Sequence, residues 1–245
     1  WSDGVNVGWR SALQGIRALQ VGRRMDPHIG NRHMKRRFLG KLGMGTLAAL
    51  ALAGASLAQT TDEAPDALVK RLSTDVLESI KADKSIQSGD IAKVVALVES
   101  KIMPNVNFER MTASAVGPGW RQATPEQKKR LQDEFKILLV RTYAGALAQV
   151  NDQTISMKPL RASPEDKEVV VKTEVKGRGE PIQLDYRLEK TPGQGAGWKI
   201  YNLNVLGVWL VETYRSQFAQ EISAKGIDGL IAALTERNKT NAKKV

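Results

Sequence analysis

Hydrophobic and polar positions divide most of the chain into elements of two periods. From Asp66, apolar residues recur at Leu68, Leu72, Val76 and Ile80, a spacing that predicts a first amphipathic helix. Ser88-Gly89-Asp90 breaks it and caps a second, with Ile91, Val94, Val95, Val98 and Ile102 on one face and Pro104 ending it. A short third helix runs from about Asn107 to Val116 and stops at Gly117-Pro118-Gly119. Thr124-Pro125-Glu126-Gln127 reads as a capping box with proline at the first helical position. The helix it opens reaches about Val150, roughly 39 Å at 1.5 Å per residue. Its broad apolar stripe is Leu131, Phe135, Leu138, Leu139, Thr142, Ala146 and Leu147, with Tyr143 at the margin.

After Asn151-Asp152 the period falls to two. Strands are expected at Thr154 to Leu160, Glu168 to Lys176, Pro181 to Lys190 and Trp198 to Val205. In the third, Ile182, Leu184, Tyr186 and Leu188 face one way and Gln183, Asp185, Arg187 and Glu189 the other, which marks an antiparallel sheet with one wet face. Val208 to Ala224 reads as a helix closed by Gly226, Asp228 caps a last one through Asn238, and 239–245 is a frayed tail. The predicted fold is α+β: N-terminal helices, a four-stranded curved antiparallel sheet, and C-terminal helices covering the sheet's apolar face.

Upstream, residues 34–58 have a charged start (Met34-Lys35-Arg36-Arg37), a short apolar stretch and small residues before Gln59. That is a secretory signal segment, expected to be cleaved after Ala58 by the general export route; the apolar stretch is shorter than the about 20 residues of a membrane span. Residues 1–33 show no sustained apolar period and are expected to be a disordered extension upstream of the natural start at Met34. Residues 59–65 are a linker and 66–238 a single domain.

The signal segment changes the meaning of the composition. The 245 residues carry 37 Lys+Arg against 26 Asp+Glu, a formal charge of +11, which at face value suggests a nucleic-acid or membrane-surface partner. Residues 1–58 hold nine of the basic residues and two of the acidic ones, so residues 59–245 keep only +4. Both histidines, His28 and His33, also fall upstream of Ala58, and the chain has no cysteine. A mature chain without His or Cys has no Ser-His-Asp or Cys-His site, no His- or Cys-ligated metal and no disulfide. Nucleic-acid binding is not expected, because Trp120, Trp198 and Trp209 do not interleave with basic clusters, and Lys128-Lys129-Arg130 reads as a solvated face or a docking patch. Gly193, Gly195 and Gly197 join two strands and read as a turn, not as a phosphate loop. Asp185 and Glu189, two strand steps apart, are the carboxylates a hydrolase would use, against a simpler reading as a solvated, charge-balanced sheet face. Amphipathic helices and the Ile182/Leu184/Tyr186/Leu188 face would either close into a filled core or stand open around an apolar ligand; pattern alone does not separate the two.

Four stretches resemble one family. They are Asn107-Phe108-Glu109-Arg110-Met111, the run from Gly117 and Trp120-Arg121 through Thr124-Pro125-Glu126-Gln127 to Arg141-Thr142-Tyr143, Trp198-Lys199-Ile200-Tyr201-Asn202-Leu203-Asn204-Val205, and Gly207-Val208 through Tyr214-Arg215-Ser216-Gln217-Phe218. Together they resemble the MlaC, or toluene-tolerance, family of periplasmic phospholipid carriers over most of residues 66–236. The resemblance implies an NTF2-like cone around an apolar cavity, no enzymatic activity and no cofactor. It implies a monomeric periplasmic shuttle, only transiently near membranes, that maintains outer-membrane lipid asymmetry. Its partners would be phospholipid, an inner-membrane ABC transporter with an MCE-domain subunit, and an outer-membrane lipoprotein–porin complex. Phe135, Leu139, Tyr143, Leu184, Tyr186, Leu203, Val205, Val208 and Trp209 are the expected acyl-chain lining, and Arg215 is expected to anchor the final helix through Glu212, with a place near a headgroup as the alternative. The chain departs from the family pattern at Leu206, where an acidic residue is common, and at Trp209, where serine is. A periplasmic scaffold with a filled core and a carboxylate-dependent hydrolase on the same fold are the competing classes.

Overall fold

The computed structural model of the chain describes residues 62–242; the extension, the signal segment, the first three residues of the linker and residues 243–245 of the tail lie outside them. Helix α1 (Pro65–Ala82) begins with proline at its first turn and buries Leu68, Val69, Leu72 and Ile80. A single-turn α2 (Lys84–Gln87), capped by the Asp83 side chain on Ser85 N, precedes α3 (Ile91–Leu97), capped by Asp90. The latter does not run straight to Pro104. It passes into a π-helical turn (Val98–Ile102) and a 3₁₀ turn (Met103–Asn105), the proline being incompatible with a continued ladder. Helix α4 (Phe108–Val116), capped by Asn107, ends at Gly117. Helix α5 (Pro125–Leu147) has the expected capping box: Gln127 N donates to Thr124 Oγ1 (3.2 Å) and Thr124 N to Gln127 Oε1 (3.0 Å).

Five strands, not four, form a continuous antiparallel sheet in chain order: β1 (Thr154–Met157), β2 (Glu168–Lys176), β3 (Ile182–Lys190), β4 (Trp198–Val205) and β5 (Val208–Trp209). The first strand stops before the expected Leu160, Pro159 having no N–H for a ladder. The extra strand arises where a helix start was expected. Leu206 and Gly207 both adopt positive φ (51° and 88°), closing a two-residue hairpin that pairs Val205 with Val208 and Asn204 with Trp209. Leu206 is the one non-glycine residue with positive φ among the described residues, a backbone cost of about 1–2 kcal/mol. Between β3 and β4 the register shifts at Arg187/Leu188, so Tyr201 is skipped in the pairing, and such a bulge bends and twists the sheet.

Strand β2 alternates strictly, Val169, Val171, Thr173 and Val175 buried against an outer edge of Glu168, Val170, Lys172 and Glu174. The inner face is covered at one end by α1, which packs on β1 and β2, and at the other by α4 and α6 (Leu210–Ala242), which pack on β4. Helix α6 is the two expected C-terminal helices joined across Gly226, whose φ of 69° and ψ of −171° interrupt the helical path. It stays helical through Ala242, past the expected fraying at Lys239, because no breaker follows Asn238. Glu134 locks α6 to α5: its side chain accepts from Thr235 Oγ1 (2.8 Å) and Asn238 Nδ2 (2.7 Å), and its carbonyl also accepts from Asn238 (2.9 Å). Arg215 does not use Glu212 as its anchor. Its guanidinium lies against Gly117, while Glu212 accepts from Arg187 and Asn202.

Candidate functional site

The helices and the sheet do not close on each other. They enclose a cavity of about 290 Å³. Its wall on α5 is the stripe Lys136, Leu139, Val140, Tyr143 and Leu147, continued by Val150 just past the helix, positions that recur every three to four residues and therefore share one face. Opposite stand the inward residues of the sheet: Ile155, Val175, Ile182, Leu184, Tyr186, Leu203 and Val205. Helix α1 supplies Leu72, Val76, Leu77 and Ile80, and the α3–π segment supplies Val94, Val98 and Ile102.

Six of the nine expected lining residues meet there: Leu139, Tyr143, Leu184, Tyr186, Leu203 and Val205. Leu184 and Val205 are direct cross-strand partners, as are Tyr186 and Leu203. The other three lie elsewhere. Phe135 is fully buried one turn before Leu139, in an aromatic cluster with Tyr214 (centroids 5.0 Å apart), Phe218 (5.2 Å) and Phe108 (5.8 Å). Val208 is packed into the same core. Trp209 is on the outer side of the sheet, beneath Arg187, because the β4–β5 hairpin puts it opposite Asn204, on the outer register. The contribution of α1 and the α3–π segment was not separable in the sequence from an ordinary core stripe, since lining and core residues share one pattern.

The cavity's chemistry is sparse. Its polar lining is Ser73, Lys136, Tyr143, Gln149, Gln153 and Tyr186. The Tyr186 hydroxyl lies 3.5 Å from Ser73 Oγ, and burial pushes its phenol pKa up. Burial, with a smaller contribution from Tyr214, pushes the Tyr143 phenol far above its ordinary value. Both are therefore neutral un-ionised hydroxyls at any physiological pH. No carboxylate lines the cavity among the described residues. Asp185 and Glu189 project from the other sheet face and do not act as a pair. Asp185 is only 5% exposed and accepts from Gln183 (2.9 Å), so it is not solvated as expected. Glu189 accepts from Asn107 (2.6 Å) and Arg110. No group of three or more His, Cys, Asp or Glu among the described residues is placed to hold a metal ion.

Helices on one face of an antiparallel meander, with an apolar cavity between the two layers, define an α+β protein built around enclosed apolar space. The family model described as "MlaC protein" matches residues 70–236, and the chain belongs to that family. It is similar to the toluene tolerance protein ttg2D of Pseudomonas putida, 29% identical over 179 residues, 72% of this chain and 81% of that one. It is also similar to the intermembrane phospholipid transport system binding protein MlaC of Haemophilus influenzae, 22% identical over 192 residues, 78% of this chain and 88% of that one. Among solved structures, the phospholipid-binding protein of Ralstonia solanacearum, in complex with a phospholipid, is 50% identical. It superposes with a TM-score of 0.70 over 72% of this chain and 98% of the other. No helix among the described residues is long and apolar enough to cross a membrane.

Proposed function

We propose that the chain is a periplasmic phospholipid carrier. It buries acyl chains between sheet and helices and shuttles lipid between the outer and inner membranes, sustaining outer-membrane lipid asymmetry, without performing catalysis. The observation that carries this reading is the cavity. Holding open about 290 Å³ of apolar space forgoes about 7 kcal/mol of packing at ~24 cal/mol per Å³, comparable with the whole stability of a small domain. A fold keeps such a space for an occupant, and the lining selects one made of methylenes. Moving a lipid through water unaccompanied exposes those methylenes at about 0.8 kcal/mol each, so burial alone is a sufficient function. The relatives whose names specify phospholipid support the choice of ligand. Export by the 34–58 segment, cleavage after Ala58, and exchange with an inner-membrane ABC transporter carrying an MCE-domain subunit and an outer-membrane lipoprotein–porin complex complete the proposal.

The test is native mass spectrometry of protein purified from a periplasmic extract, followed by lipid extraction. The expected result is phospholipid bound to a monomer whose N-terminus is Gln59. A lipid-free protein that also takes up no phospholipid from vesicles sinks the reading.

A further inference from the structure

Among the described residues that line the cavity, Lys136 alone carries a charge. It stands at the N-terminal end of the α5 stripe, one turn before Leu139 and Val140 and two before Tyr143. A lysine at that place lays its methylene stem on the apolar wall and carries its ammonium to water, so it marks the level at which the cavity meets solvent. Towards the other end of the stripe Val150 and Gln153 are buried, whereas the Lys136 side chain keeps 26% of its surface in solvent. On the facing wall the π-helical turn supplies Val98 and Ile102 to the cavity. Between them Glu99 accepts the Lys136 ammonium at 2.6 Å with 47% of its own side chain in solvent. The pair therefore bridges α5 and the π-helical turn at a solvent-exposed rim of the lining.

We propose that Lys136 is the headgroup anchor of the cavity: its ammonium takes the phosphodiester of an incoming glycerophospholipid in exchange for the carboxylate of Glu99. This rests on the carrier reading above. Acyl chains lying along the α5 stripe bring the phosphodiester to the level where the apolar wall ends, and there the charged group at hand is cationic. The exchange replaces one oxyanion with another, so the ammonium is never left unpaired at an apolar rim. The released Glu99 carboxylate is already half in water and rehydrates at little cost.

Uptake from vesicles of phosphatidylglycerol and phosphatidylethanolamine doped with diacylglycerol, which has the same chains and no phosphate, tests the assignment. In Lys136→Met, phospholipid recovered with the protein is expected to fall about tenfold, the low end for a hydrogen bond between charged groups, with diacylglycerol uptake unchanged. Lys136→Arg should retain phospholipid uptake, and Glu99→Gln should raise it severalfold by removing the competitor. Equal phospholipid uptake by wild type and a folded Lys136→Met overturns the anchor and leaves the carrier reading standing. Uptake of neither lipid by wild type overturns both. Inorganic phosphate that shifts the Lys136 ammonium resonance while the substitution leaves vesicle uptake unchanged assigns the site to a free anion and overturns the headgroup assignment.

Discussion

Arg187 lies over the indole of Trp209, its guanidinium carbon 3.9 Å from the ring centroid, and also donates to Glu212. The stack sits on the sheet face that turns away from the cavity. Trp209 is thereby a strut between β5, β3 and the first turn of α6. Replacing it with serine removes a partly exposed cation–π contact of about 0.5–1 kcal/mol and some apolar packing. Trp209→Ser is expected to lower the melting temperature by a few degrees while leaving lipid uptake from vesicles unchanged. A pocket role for Trp209 is what loss of uptake would reveal.

Leu184 and Val205 face each other across β3 and β4 and both line the cavity. Leu184→Arg or Val205→Arg places a guanidinium among methylenes, and lipid retention is expected to be lost. Because an arginine there also threatens the fold, Leu139→Trp gives a milder version. It fills cavity space from the α5 side with apolar volume, so the protein stays folded by circular dichroism while lipid recovered per protein falls severalfold. Full retention in a folded Leu139→Trp would remove α5 from the binding wall.

The strand periods and helix caps were legible because each is local. The alternation through Ile182, Leu184, Tyr186 and Leu188 fixes the inner face of β3 whatever packs on it, and Thr124 and Gln127 satisfy each other within one turn. The hairpin at Leu206-Gly207 was not legible, since leucine disfavours positive φ and the tertiary pairing of Val208 with Val205 overrides it. The cavity was legible only in half. The periodic stripes name which residues turn inward, yet Phe135 and Leu139, one helical turn apart on α5, divide between a solid aromatic cluster and an open wall. That division depends on how far the opposing layer stands off, which no local spacing encodes. Lys136 is illegible for a related reason: in an apolar stripe, a lysine marks only an edge.

Acid should loosen the outer sheet face before the core. Burial alone would raise the Glu212 carboxyl, but hydrogen bonds from Asn202 and Arg187 outweigh it and hold it below its ordinary value of 4.5. Glu168 is likewise held low, first by Arg110 and then by Tyr201. A folded-state pKa below the unfolded one means stability that is present above about pH 4.5 and lost as pH falls through the lowered folded value. Melting temperature is therefore expected to decline below pH 4.5, and Glu212→Gln, which cannot titrate, should flatten part of that decline while lowering the plateau at pH 7. An unchanged slope in the variant would show that other carboxylates set the acid limb.

Gly226 permits the turn that returns the last part of α6 to α5. Its φ of 69° with ψ of −171° lies where a side chain clashes with its own backbone, although nothing else stands within 4 Å of the place a Cβ would occupy. Gly226→Ala therefore isolates a backbone cost of about 1–3 kcal/mol. That cost falls on the contact of Glu134 with Thr235 and Asn238, some ten residues downstream along the same helix. The expected outcome is a melting temperature several degrees lower and faster amide exchange across Ile231–Asn238, with β2 and β3 protected as before. An unchanged melting temperature with unchanged protection would instead mean that Glu134 holds the helix by itself and that the glycine is dispensable.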